Sequence, residues 1–367
     1  MIVKRIIKKL SKVLRGINQY LLQKNNYISY DKAIELLESF SPNPNTSCYV
    51  QNGGEKEENN ILYDLSVIIP SYNCENTIKR CIDSVIKQTT SYSFQVIVIN
   101  DGSQDNTKSI LSEYEKLDNC VIINQQNMGF SGARNTGLDI CNGKYIMFVD
   151  ADDRLTENAI DNLMKVAFEY DADVVAGNYR NTNINGEVIS VASKYENQKI
   201  EPMGYLHGQP WGKVYKSHIF DDLRFPEGYW YEDSIFAQIV WPSVKKVYTI
   251  SNYVYEYTFN PNGITVNGQS KPKAIDSLYI TIKLLDDKKK FNLKLNNLDY
   301  EYFLRMVKLT YNRTGGLNSA VVKSIFVVES ELIKKFEGLQ CNNRRLLPLE
   351  KALLEKNYKL YIRSVIF

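Results

Sequence analysis

The stretch KYIMFVDADDRL, residues 144–155, delivers three carboxylates at the end of an apolar run. Tyr145 to Val149 have the make-up of a buried strand, and Asp150, Asp152 and Asp153 follow at once. If the extended geometry continued, Asp150 and Asp152 would point the same way, because strand side chains alternate. Two carboxylates held together raise each other's pKa unless a cation is present. A divalent ion with oxygen ligands removes that repulsion, and Mg2+ or Mn2+ takes its remaining ligands from water and phosphate. The pattern therefore points to a metal whose other partner is a diphosphate. A second acidic pair, Glu232-Asp233, lies among Tyr229, Trp230, Tyr231 and Phe236. Aromatic neighbours imply partial burial, which suits a carboxylate used as a general base.

The elements that must position these groups are legible upstream. LYDLSVIIP, FQVIVIN, CVIIN, KYIMFVD and ADVVAGN read as buried strands, separated by helical patterns. Ile78, Cys81, Ile82, Val85 and Ile86 follow the helical period, and residues 109–117, 132–140 and 158–169 supply further helices. Strands alternating with helices predict an α/β fold with a mainly parallel sheet covered on both faces. Ligands bind such sheets beyond the carboxyl ends of the strands. PSYN (70–73), NDGSQDNT (100–107), NMGFSGARNTG (127–137) and the aspartate run all fall there. Asp101, Arg134, Asp150 and Asp152 should thus converge, although each alone also has an ordinary reading. Asp101-Gly102 makes a turn, Asp105 or Asn106 a helix cap, Arg134 a solvated helix residue and Asp153 a helix start.

Together LSVIIPSYN, VIVINDGSQDNT, NMGFSGARNTGL and YIMFVDADD resemble glycosyltransferase family 2 with its GT-A fold. The resemblance runs from about Leu65 through Asn178 and resumes over residues 211–236. It implies that Pro70, Tyr72 and Asn73 border the nucleotide, with Asp101 on the uracil edge and Arg134 beside it. Asp150 would touch the ribose side and share the metal with Asp152. Asp233 would be the general base, and Glu232 its orienter or an acceptor ligand. The implied reaction is inverting and metal-dependent, using Mn2+ or Mg2+ and a UDP-sugar. Trp211 and Lys213 would line the acceptor side, Trp211 reading almost as well as core, while His207 is either a further metal ligand or, as a lone loop histidine more often is, structural. One departure stands out. The family often has Tyr-x-Tyr-Arg after the acidic pair, whereas YVYEYTFNPNGIT places Glu256 at the arginine position.

Composition sets the remaining bounds. With 45 Lys and Arg against 42 Asp and Glu, the net charge of +3 does not predict nucleic-acid binding. The six cysteines include no C-x-x-C pair, so neither a disulfide framework nor a zinc site is expected. No apolar stretch approaches the roughly 20 residues that span a bilayer, and no signal-peptide core is present, so the chain reads as cytoplasmic. Residues 1–24 carry an apolar helical stripe, and Lys4, Arg5, Lys8, Lys9, Lys12, Arg15 and Lys24 precede the first acid, Asp31. A basic amphipathic segment of this kind is expected on the anionic inner face of the cell membrane, the alternative being a helix packed on the catalytic domain or a partner subunit. The expected organisation is that segment over 1–40, a linker over 41–61, a catalytic domain over 62–265 and a helical region over 266–367. The acceptor would be a glycan or glycoprotein; the sequence leaves the oligomeric state open. A nucleotidyltransferase on a related scaffold and a non-catalytic sugar-binding subunit are the rival readings. The first would want a Gly-rich, Lys-containing loop where PSYNCENT stands, and turnover separates the second.

Overall fold

Four apolar runs build the first half of a sheet: β1 (Tyr63–Ser71), β2 (Phe94–Asp101), β3 (Cys120–Gln125) and β4 (Gly143–Phe148). They are parallel and lie in the order β3-β2-β1-β4, with Ile68 opposite both Ile97 and Phe148. The computed structural model describes residues 13, 28–51, 61–260, 263 and 267–366. The basic amphipathic helix expected at the N-terminus therefore lies outside the described residues, Val13 excepted.

Beyond β4 the sheet turns mixed. In chain order come β5 (Arg154–Leu155), β6 (Val174–Thr182), β7 (Val188–Val191), β8 (Gln198–Lys199), β9 (Lys213–Lys216) and β10 (Val247–Thr258). The short β9 runs antiparallel between β4 and β6, β10 runs parallel to β6, and β5 pairs antiparallel with β10. The mainly parallel expectation thus holds for β1 to β4, whereas β5, β7, β8 and β9 pair antiparallel. Strands β7 and β8 attach to β6 and β10.

The helices cover this sheet because their apolar periods match it. After α1 (Tyr30–Phe40), α2 spans Ile78–Ile86 and buries Ile78, Cys81, Ile82 and Val85 of the residues its sequence period selects, while Ile86 at its end is partly buried. Next come α3 (Thr107–Leu111), α4 (Gly129–Ile140) and α5 (Ala159–Glu169). The helix expected over 109–117 is shorter, because the chain tightens into turns. Tyr114 N–H bonds to Leu111 O, and Leu117 N–H to Tyr114 O, which drops Tyr114 into the core. Val67, Ile69, Val96, Val98, Met147 and Leu163 share that core. Burying each such side chain contributes about 1.5–3 kcal/mol.

The described chain divides into two compact units. The sheet unit comprises Thr46–Gly228 and Glu232–Asn260. Within it, residues 46–50 of the expected linker pack on 222–227, with an isolated bridge from Tyr49 to Leu223 and Arg224 N–H bonded to Cys48 O. The other unit takes the described residues up to Asn45, Tyr229–Tyr231 and the chain beyond Pro261. It contains α1 and α6 (Asp276–Asp287), α7 (Asn297–Thr314), α8 (Ser319–Leu332), α9 (Leu347–Leu354) and α10 (Tyr358–Ile366). A capping box closes the N-terminus of α7, where Asn296 and Asp299 exchange side-chain and backbone bonds.

Candidate active site

The strand ends carry the expected polar residues. At the end of β1, Pro70 is half-buried, and Tyr72 leaves 50% of its surface open, enough for its ring to take a planar partner. Asn73, with φ +47°, bonds across to the second loop: its N–H donates to Ser103 Oγ (3.0 Å) and its Oδ1 accepts from Gln104 N–H (2.8 Å). Asp105 accepts from the N–H groups of Thr107 and Glu75, so it is a cap. Asp101 is buried at the tip of β2, and its Oδ1 accepts from Gln125 Nε2 and Met128 N–H, both at 2.8 Å. Gly102 lets the chain turn there, with φ +75° and no room for a Cβ, which would stand 2.9 Å from Asn127 N.

Arg134 of α4 organises the centre. Its Nη2 donates to Asp150 Oδ1 (2.8 Å) and its Nη1 to Glu232 Oε1 (2.6 Å). Burial would lower this guanidinium's pKa, but Asp150 and Glu232 together hold it above its ordinary value. Burial pushes the Glu232 carboxyl up to about 7 against the pull of Arg134, and the charge of Asp233 adds to the rise. Asp233 itself is half-buried one position on, and its carbonyl caps the turn leading into residues 236–240. Tyr231, just before the pair, has φ +68°, a left-handed conformation that costs a non-glycine residue of order 1–3 kcal/mol. The chain therefore turns sharply where the acidic pair is presented.

The aspartate run is held from below. Asp150 N–H donates to Tyr255 Oη (3.0 Å), and Arg80 Nη2 donates to the Asp152 carbonyl (2.8 Å). Asp153 is fully buried, accepting from Tyr255 Oη–H and from Thr258 N–H. It is an internal anchor, not a helix start. The Asp152 carboxyl is raised above the usual range, first by burial and then by the charge of Asp150. A hard divalent cation is the partner that would reverse this shift, and the oxygen donor fits one. Among the described residues no group of three His, Cys, Asp or Glu side chains converges to hold a metal. A bound ion would then depend on diphosphate and water for most of its shell.

Glu256, at the position where arginine was expected, is buried between Arg154 and Arg180, each of which donates to it. Two guanidiniums on one carboxylate leave that three-residue cluster net positive. Trp211 is core, stacked on Tyr255 with ring centroids 4.5 Å apart. Lys213 is buried as well, its Nζ donating to the carbonyls of Gln209 (2.8 Å) and Trp211 (3.2 Å). Burial pushes its pKa down to about 7, with the charge of Asp233 opposing. His207 packs edge-on against Tyr179, with centroids 5.7 Å apart. Tyr255, Arg80, Arg154 and Arg180 escaped the sequence reading. The alternating tyrosines at 253, 255 and 257 were a signal for Tyr255; the three arginines carried none.

Residues 66–224 match the family model described as glycosyl transferase family 2. That stretch is similar to a glycosyltransferase family 2 domain. Among its relatives, glycosyltransferase GlyA of Streptococcus pneumoniae is 28% identical over 306 residues, covering 78% of this chain and 43% of the relative. The uncharacterized glycosyltransferase EpsJ of Bacillus subtilis is 31% identical over 221 residues, covering 55% and 62%. The WfgD glucosyltransferase of Escherichia coli is 35% identical over 126 residues, covering 34% and 49%. The matched part of this chain thus spans less than two thirds of each of these relatives. Residues 1–349 of TarS from S. aureus, crystallised with UDP-GlcNAc, superpose with a TM-score of 0.56 at 20% identity. That match covers 82% of this chain and 90% of the TarS chain. The sheet unit has the GT-A fold; Arg134 on α4 and Asp150 beyond β4 fall within the matched residues, and Glu232 follows them.

Proposed function

We propose that the chain transfers a sugar from a UDP-sugar to a hydroxyl group of a bacterial surface glycan, lipid-linked oligosaccharide or glycoprotein, with inversion at the anomeric carbon. The observation that carries this reading is the double ion pair of Arg134, which brings the D-x-D carboxylate Asp150 and the E-D carboxylate Glu232 to one guanidinium. Donor-side and acceptor-side chemistry need that proximity. The relatives favour the same class: TarS was crystallised with UDP-GlcNAc, and WfgD is described as using UDP-Glc on a diphosphoundecaprenol-linked GlcNAc.

In this reading Tyr72 and Asp101 bind the base, with Pro70 and Asn73 bordering it. Asp152, with Asp150 beside it, would hold Mg2+ or Mn2+, and the ion would supply counter-charge to the departing diphosphate. Asp233 takes the proton of the acceptor hydroxyl as that oxygen attacks the anomeric carbon in line, contributing typically ~10²–10⁴-fold. Glu232 orients the acceptor. A single base with no covalent intermediate gives inversion. The basic N-terminal segment would keep the enzyme on the inner membrane face, near a lipid-linked acceptor.

The test is release of UDP from a panel of UDP-sugars, with Mn2+ and candidate acceptors present. Acceptor-dependent release from at least one donor is expected. No release from any donor, together with no UDP binding, would overturn the reading.

A further inference from the structure

Arg134 links two carboxylates that come from distant parts of the chain. Asp150 follows β4, whereas Glu232 precedes the turn that bears Asp233. The guanidinium lies buried between the rings of Phe130 and Phe225, whose centroids are 5.9 and 5.3 Å away. Its planar fork spends Nη1 on one acid and Nη2 on the other, and its buried Nε has no hydrogen-bond partner. A planar, enclosed cation cannot turn toward one acid without loosening its bond to the other.

We propose that Arg134 is a positioning residue that couples Asp150 to Glu232, so that occupancy of the donor side is felt on the acceptor side. The two sides take their meaning from the transferase reading above; the coupling itself does not depend on it. When a nucleotide and its counter-ion claim Asp150, the Arg134 charge is left to Glu232, which is then held more firmly for the acceptor. Removing Glu232 does the converse and tightens Arg134 on Asp150. A shared buried cation thus converts one local event into two.

The experiment has two arms on the full-length protein. In the first, melting temperatures are measured for D150N, E232Q and the double variant, with Arg134 intact and with R134Q. With Arg134 intact, the double variant strands a buried cation, so its loss exceeds the sum of the single losses. In the R134Q background E232Q removes an unpaired buried acid, so it raises the melting temperature. Additive losses, or an E232Q penalty that survives R134Q, would overturn the coupling. In the second arm UDP affinity is measured. E232Q lies off the donor side yet is expected to shift the UDP Kd about fivefold or more, and R134Q should abolish that shift. R134K, which keeps the charge without the fork, should recover only part of it. An unchanged Kd in E232Q would overturn the donor–acceptor link even if the stability arm succeeded. Absence of UDP binding in the wild-type protein would instead sink the transferase reading, leaving the melting cycle to decide the coupling.

Discussion

The hydroxyl of Tyr255 donates to Asp153 Oδ2 at 2.9 Å and accepts the Asp150 N–H at 3.0 Å. One phenol thus ties the aspartate run to the end of β10. The Asp153 carboxyl is held well above the usual range by burial, with the charges of Asp152 and Asp150 adding to it. The bonds from Tyr255 and from Thr258 N–H are what make its burial tolerable.

Tyr255→Phe should therefore destabilise the protein out of proportion to one lost oxygen. It leaves the Asp153 oxygen and the Asp150 N–H without their partner, at about 1–3 kcal/mol per stranded group. Urea unfolding of the variant checks this, and a loss within error of zero would mean that the phenol carries no structural load.

Lys213 should impose a pH slope on stability. Its folded pKa lies near 7, below the ordinary value of about 10.4. Between those values the unfolded chain binds a proton that the folded chain does not, so stability rises with pH across that window and this contribution is flat below it. Lys213→Met should flatten the rise relative to wild type. Parallel denaturation midpoints of the two proteins from pH 6 to 10 would contradict the assignment.

Asp152→Ala should abolish turnover and weaken UDP binding in Mn2+, because the diphosphate loses its counter-charge. EDTA should do the same to the wild-type protein. Full activity in either case removes the metal from the mechanism.

Asp233→Asn keeps the shape of the side chain and discards its basicity. Donor affinity should survive, while kcat falls by at least the ~10² expected of a lost general base. Collapse of UDP affinity with an unaltered rate per bound donor would reassign Asp233 to binding.

Deletion of residues 1–27 should release the protein from anionic vesicles and leave action on a soluble acceptor largely intact. The deletion stops short of α1, whose Ala33 and Leu37 are buried in the helical unit. Each Lys or Arg near such a surface adds about 1 kcal/mol at low salt. Equal vesicle sedimentation of both proteins would refute membrane attachment.

Local composition made β1, β2, β3, β4 and β6 legible, because strands that pack against covering helices are largely apolar, whereas the 12-residue β10 was not legible. The helical period of α2 named its own buried residues for the same reason. Asp101, Asp150 and Asp152 could be assigned to strand ends on one edge of the sheet, since parallel topology sends those ends the same way; within the expected group, the ion pair the structure shows is that of Arg134, on α4, with Asp150. Strand β9 was not legible: with four residues it is too short to show a period, and its antiparallel pairing depends on β4 and β6. Nor could sequence tell that Arg134 binds two acids, that Tyr255 sits beneath the aspartates, or that Glu256 is answered by Arg154 and Arg180. Periodicity records which side of an element is buried, and so it specifies elements and their edges. Which charge meets which is set by contacts between residues far apart in the chain. Only the folded sheet brings those residues within hydrogen-bond reach.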